Sequence, residues 1–90
     1  MHSMDDVFER MQLFARVLGE FQEALQASLN DLDRHHAAVD SLWRDERRRT
    51  YDAEYNPLHE ALVRYVRQQG PAYLEFLDEK LRAINQYLHG

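Results

Sequence analysis

Cysteine is absent from this chain of 90 residues. That excludes disulfides and a thiolate zinc site, two of the supports on which small scaffolds rely, and leaves oligomerisation as the third. It also fits a reducing compartment. Proline and glycine are scarce, at two and three residues, so the chain offers few points at which a helix must stop. No glycine-rich phosphate loop, Gly-x-Ser-x-Gly elbow or His-Glu-x-x-His motif occurs. No run approaches the ~18 consecutive apolar residues of a membrane span. The opening Met1-His2-Ser3-Met4 lacks the basic and apolar regions of a signal peptide, so a cytoplasmic location is expected. Basic residues are outnumbered 11 to 16 by acidic ones, for a net charge of −5. That balance argues against non-specific binding to nucleic acid or to anionic membranes.

What the chain does have is heptad order. Met4, Met11, Leu18, Leu25, Leu32 and Val39 form an unbroken apolar register. A second register, Val7, Phe14, Phe21, Ser28, His35 and Leu42, weakens only at Ser28 and His35. Only an α-helix brings this spacing onto one face. Ser3 is the expected N-cap, and Asp5 and Asp6 complement the positive end of the macrodipole. Gly19 is the one weak helix former and costs about 1 kcal/mol relative to Ala. Phe8, Ala15 and Leu29 on one flank, and Val17, Ala24 and Ala38 on the other, widen the stripe beyond a two-stranded seam, as in a four-helix bundle. Glu9, Arg16, Glu20, Glu23, Gln26 and Asp33 make an ordinary solvated back face.

The turn is expected within Asp40 to Asp45, where Asp40, Ser41 and Asp45 are all competent N-caps. Trp43 would plug the end of the helix pair. A second stripe then reads Tyr51, Tyr55, Leu58, Leu62, Val66, Tyr73, Leu77, Leu81, Ile84 and Leu88. Asn56-Pro57 has the form of an N-cap followed by a first helical residue, and Gly70-Pro71 that of a stop and restart. The apolar phase nonetheless carries across both prolines without an obvious slip. One long second helix, bent at Pro57 and Pro71, is therefore expected, with a helix–break–helix as the alternative.

Residues 1–90 thus read as a single all-α domain, an antiparallel two-helix hairpin that dimerises into a four-helix bundle. Helix one would cover about 5–42, the turn about 40–45 and helix two about 45–88. At 1.5 Å per residue the helices would be roughly 57 and 66 Å long, a fair match for side-by-side packing.

A chain of this length with Leu42-Trp43-Arg44-Asp45 midway, aromatics at Tyr51 and Tyr55 and leucines continuing to the end resembles the WXG helical-hairpin family associated with type VII secretion. The resemblance covers nearly the whole chain. It implies homo- or heterodimers packed as antiparallel four-helix bundles. Two departures accompany it. Asp45 stands where the family's Trp-x-Gly turn has glycine, which would make the turn a capped helix start. The family's C-terminal Tyr-x-x-x-Asp/Glu export motif is missing, since Tyr73 is followed four residues on by Leu77, and only three residues follow Tyr87. Export is then expected only with a partner that carries the signal.

Candidate chemistry is sparse. Asp33-x-x-His36 has the carboxylate–histidine spacing of di-iron bundles, but such sites need a second motif, which His59-Glu60 does not supply. His36 is followed by Ala37-Ala38-Val39-Asp40, unlike a phosphotransfer histidine with a small or basic neighbourhood. A packing or surface histidine pair is expected at His35 and His36. Arg44, Arg47, Arg48 and Arg49 form the basic cluster, interrupted by Asp45 and Glu46; Asp45–Arg49 and Arg48–Asp52 would be i,i+4 ion pairs. A docking patch for an acidic partner is the other reading of it. Tyr51, Tyr55, Tyr65, Tyr73 and Tyr87 all lie in the second half, where phenols suit seams and interface rims.

No catalytic, cofactor or metal residue is expected. The expected function is a protein–protein interaction module, with a small regulatory subunit of a cytoplasmic complex as the alternative. Its interface would comprise Leu18, Phe21, Leu25, Leu32, Val39, Trp43, Tyr55, Leu62, Val66, Leu77, Leu81 and Ile84, and its partner itself or a related hairpin.

Overall fold

A computed structural model describes residues 3–90. Among these the secondary structure is helical without strands. Helix α1 runs Met4–Asp40. Helix α2 runs Arg47–Arg64, a π-helical turn occupies Tyr65–Gln69, and helix α3 runs Gly70–His89. The connection lies within a residue or two of its expected place.

The first helix starts as its residues dictate. The Asp6 N–H donates to Ser3 Oγ at 3.2 Å, with Asp5 and Asp6 in the first turn. At the other end, Asp45 Oδ1 accepts from the Arg47 N–H at 3.0 Å and from Trp43 Nε1 at 2.7 Å. A carboxylate therefore organises the turn by receiving two donors, one backbone and one indole.

Three contacts fix the direction of the pairing. Gln22 meets Gly70, Asp33 meets His59, and His36 meets Tyr55. Numbers fall on one arm as they rise on the other, so the arms are antiparallel. The molecule measures 64 × 22 × 18 Å, the dimensions of a helical hairpin.

The second arm remains helical through both prolines, so Asn56 does not cap a new helix and Gly70-Pro71 is not a stop. Pro71 has no N–H to donate, and in a regular α-helix its ring would strike the carbonyl four residues back. The backbone answers by widening: Gly70 N–H bonds to Tyr65 O, five residues back, instead of to residue 66. This extra residue corrects the expectation of an unslipped apolar phase. After the widened turn the half-buried position is Leu74, while Tyr73 turns outward. In α2, Leu58 is likewise exposed and His59 occupies the half-buried place.

The seam of α1 also differs from the expected one. Met11, Leu18 and Leu25 are half-buried as expected, but their companions are Phe8, Ala15, Gln22, Leu29 and His36. Val7, Phe14, Phe21, Ser28, His35 and Leu42, the expected second register, are all exposed, and so are Val17, Ala24 and Ala38. An apolar stripe wider than one neighbour can cover must leave one flank in water, and the partner arm covers the Phe8–Leu29 flank.

Candidate interaction surface

The end of the hairpin near the turn is joined by rings. His36 of α1 stacks on Tyr55 with centroids 4.1 Å apart and planes 4° from parallel. Tyr51 and His59 extend the stack along α2, each with its ring centroid 5.6 Å from that of Tyr55. Trp43 leans on Tyr51 at 5.2 Å. The tyrosines and His59 recur every four residues, which is why a single helical face presents them as a ladder. Two polar atoms inside it, His36 Nε2 and Tyr55 Oη, are buried without a hydrogen-bond partner. Burial, then the nearby Asp33 charge, pushes the Tyr55 phenol above its ordinary pKa.

Around the stack sits an ionic frame. Arg48 donates to Asp52 at 2.8 Å, to the Trp43 carbonyl at 3.0 Å and to Asp40. It ties the end of α1, the turn and the start of α2 into one unit, and its hydrogen bonds to Asp52 and Asp40 hold its pKa above the ordinary value. The expected Arg48–Asp52 pair is therefore present, whereas Asp45 engages Trp43 and Arg47. Asp33 pairs with His59 across the arms at 2.7 Å. The Asp33-x-x-His36 motif is thus divided between two tasks, and His35 beside it is exposed.

No group of three or more His, Asp or Glu among the described residues is arranged to hold a metal ion. A surface concavity lined by Asp6, Glu9, Arg10, Gln12, Leu13 and Arg16, all on α1, is the open flank of one helix. No helix among the described residues is long and apolar enough to cross a membrane.

Away from the turn the arms meet through aliphatic side chains and one directed bond. Leu29 and Leu77 are each only 5% exposed, and they are the buried large hydrophobics among the described residues. Gln22 Nε2 donates to the Gly70 carbonyl at 3.0 Å. Gly70 is buried, and a Cβ there would stand 2.9 Å from both Tyr65 O and the Gln22 amide. At Gly19 a Cβ would meet nothing within 4 Å, so that glycine serves no close approach.

The expected interface residues fall into three groups. Leu77 is packed inside the hairpin. Leu18, Leu25, Trp43, Tyr55, Leu62, Val66, Leu81 and Ile84 are half-buried along the seam between the arms. Phe21, Leu32 and Val39 are exposed and open to another molecule. With them stand Phe14, Val17, Tyr73 and Phe76, all about half-exposed and absent from the expected interface. Phe14 belongs to the second apolar register and Val17 to the flank of the stripe; their excess over what one arm can cover is the signal in the sequence.

These exposed side chains form one surface. At 3.6 residues per turn, Phe14, Val17 and Phe21 lie within about 60° of one another, roughly 80° round from the Met11–Leu18–Leu29 seam. Tyr73 and Phe76 lie about as far round from Leu77 and Leu81, in the same rotational sense. Two antiparallel right-handed helices that face each other carry such stripes on the same side. Because Gln22 lies beside Gly70, Phe21 and Val17 are level with Tyr73 and Phe76. No protein-family model, curated protein or solved structure matches the chain.

Proposed function

We propose that the protein is a non-enzymatic interaction module, a WXG-like hairpin that acts as a dimeric partner or adaptor in a secretion-type or contact-dependent system. The observation that supports it is the imbalance of burial. Leu29 and Leu77 are buried, while Phe14, Phe21, Val17, Leu32, Tyr73 and Phe76 remain open to water. A small helical chain without cysteine gains its missing stability by covering such a face. In this reading four arms assemble into a bundle, and any export depends on a partner that carries the signal.

Sedimentation across a wide concentration range, with helicity followed on the same samples, tests it. A helical dimer that persists to low concentration supports the module. A fully folded monomer at every concentration sinks it. A poorly folded monomer that gains helix only with the product of a neighbouring gene favours the regulatory-subunit alternative.

A further inference from the structure

We infer that the half of the hairpin remote from the turn is its self-association face: Phe14, Val17 and Phe21 of α1, with Tyr73 and Phe76 of α3, pack against the same five side chains of a second copy. The inference rests on the dimeric reading above and says which surface carries it. Area gives the first reason. The chain exposes 7355 Å², whereas a compact chain of this mass exposes about 5,500 Å². The excess, about 1,800 Å², exceeds the roughly 800 Å² that each partner contributes to a stable interface. The five side chains alone present roughly 500 Å², the size of the largest apolar patch on a monomer, which is often functional.

Charge gives the second reason, and it selects a second copy as the occupant. The chain carries 16 acidic residues and a net charge of −5, yet these two stripes contain no Asp or Glu. Two copies can therefore meet here without placing carboxylate against carboxylate. The corresponding side of the turn half is different. There the exposed Leu32, Val39 and Leu58 are interspersed with His35, Arg47 and the carboxylate Glu54, whereas the remote face carries the cation Lys80, its Nζ 5.3 Å from the Phe76 ring centroid, and no acid.

Two measurements on the full chain test this. Phe21→Asp and Phe76→Asp should each weaken self-association by more than about thirtyfold, as loss of an interface anchor does. Leu58→Asp and Leu42→Asp, exposed on the turn half, should leave it within about threefold. Unchanged association in the first pair, or equal loss in the second, overturns the assignment while the module reading stands. A folded wild-type monomer overturns both.

Because dissociated chains can also unfold, the second measurement needs no disruptive charge. The absence of cysteine allows a nitroxide at Val7→Cys alone. Patch against patch brings the two labels to about 30 Å or less, by the 1.5 Å rise per residue. A full antiparallel overlap, with each patch on its partner's turn half, separates them by about 45 Å and refutes the inference.

Discussion

Near the turn, α1 and α2 are joined by directional contacts: the His36–Tyr55 stack, the Asp33–His59 pair and the Arg48 frame. Toward the termini, α1 and α3 are joined by aliphatic packing around Leu77 and by the Gln22–Gly70 hydrogen bond. The first half finds most of its partners within the chain. The second leaves aromatic rings in water. The difference separates two design problems that a hairpin must solve, setting the register of its arms and acquiring enough buried surface. Stacked rings and charge-assisted bonds demand specific geometry and so settle register. Burial is non-directional and can be completed by any surface of the right shape.

The strongest way to break this comparison is Leu77→Ala. It removes one of two buried leucines and should cost about 2–5 kcal/mol, enough to abolish the cooperative helical transition in a chain this small. Denaturation followed by circular dichroism checks it; a shift of less than ~1 kcal/mol would mean that the aliphatic seam is not what holds the open half.

The two glycines sharpen the same half with opposite signs. Gly70→Ala sets a methyl against Tyr65 O and the Gln22 side chain and should destabilise by about 1–3 kcal/mol. Gly19→Ala meets open space and should stabilise by up to ~1 kcal/mol. Urea midpoints of the two variants give the comparison directly, and equal midpoints would refute it.

The smallest effect belongs to the turn half. Tyr55→Phe keeps the ring in its stack and deletes an unpartnered hydroxyl, so stability should be unchanged or rise by up to ~1 kcal/mol. The same residue sets an alkaline limit. Its folded-state pKa lies above the ordinary phenol value, so its contribution is intact below about pH 10 and is lost as the pH rises through the folded value. Tyr55→Phe should remove that part of the alkaline loss, measured as the difference in melting temperature between pH 9 and pH 11. Identical profiles would mean that Tyr55 does not contribute.

Much of this was legible in the residues, for identifiable reasons. Ser3 announced the first helix start, Asp45 was one of three candidates for the second beside Asp40 and Ser41, and the leucine register announced the arms. The choice of flank was not legible, because Phe14 and Phe21 are as apolar as Phe8 and Leu29. Gln22 made the true seam look worse than the false one. Its place is explained only by the Gly70 carbonyl, 48 positions away. The widened turn at Tyr65–Gln69 was hidden as well. A one-residue slip moves a ring such as Tyr73 to the side without breaking the run of leucines. His36 read as a packing or surface residue, and it does pack, but its partner Tyr55 was not legible because only the antiparallel pairing brings that ring near.

The position of Trp43 has a consequence for spectroscopy. It is the sole tryptophan, and it rests on Tyr51 at the end of the ring ladder. Its emission therefore reports on the neighbourhood of the turn, whereas far-ultraviolet ellipticity sums over both arms. If the open half loosens on dilution while the ladder holds, ellipticity falls before the emission moves. The molecule carries a built-in optical gauge of which end lets go first.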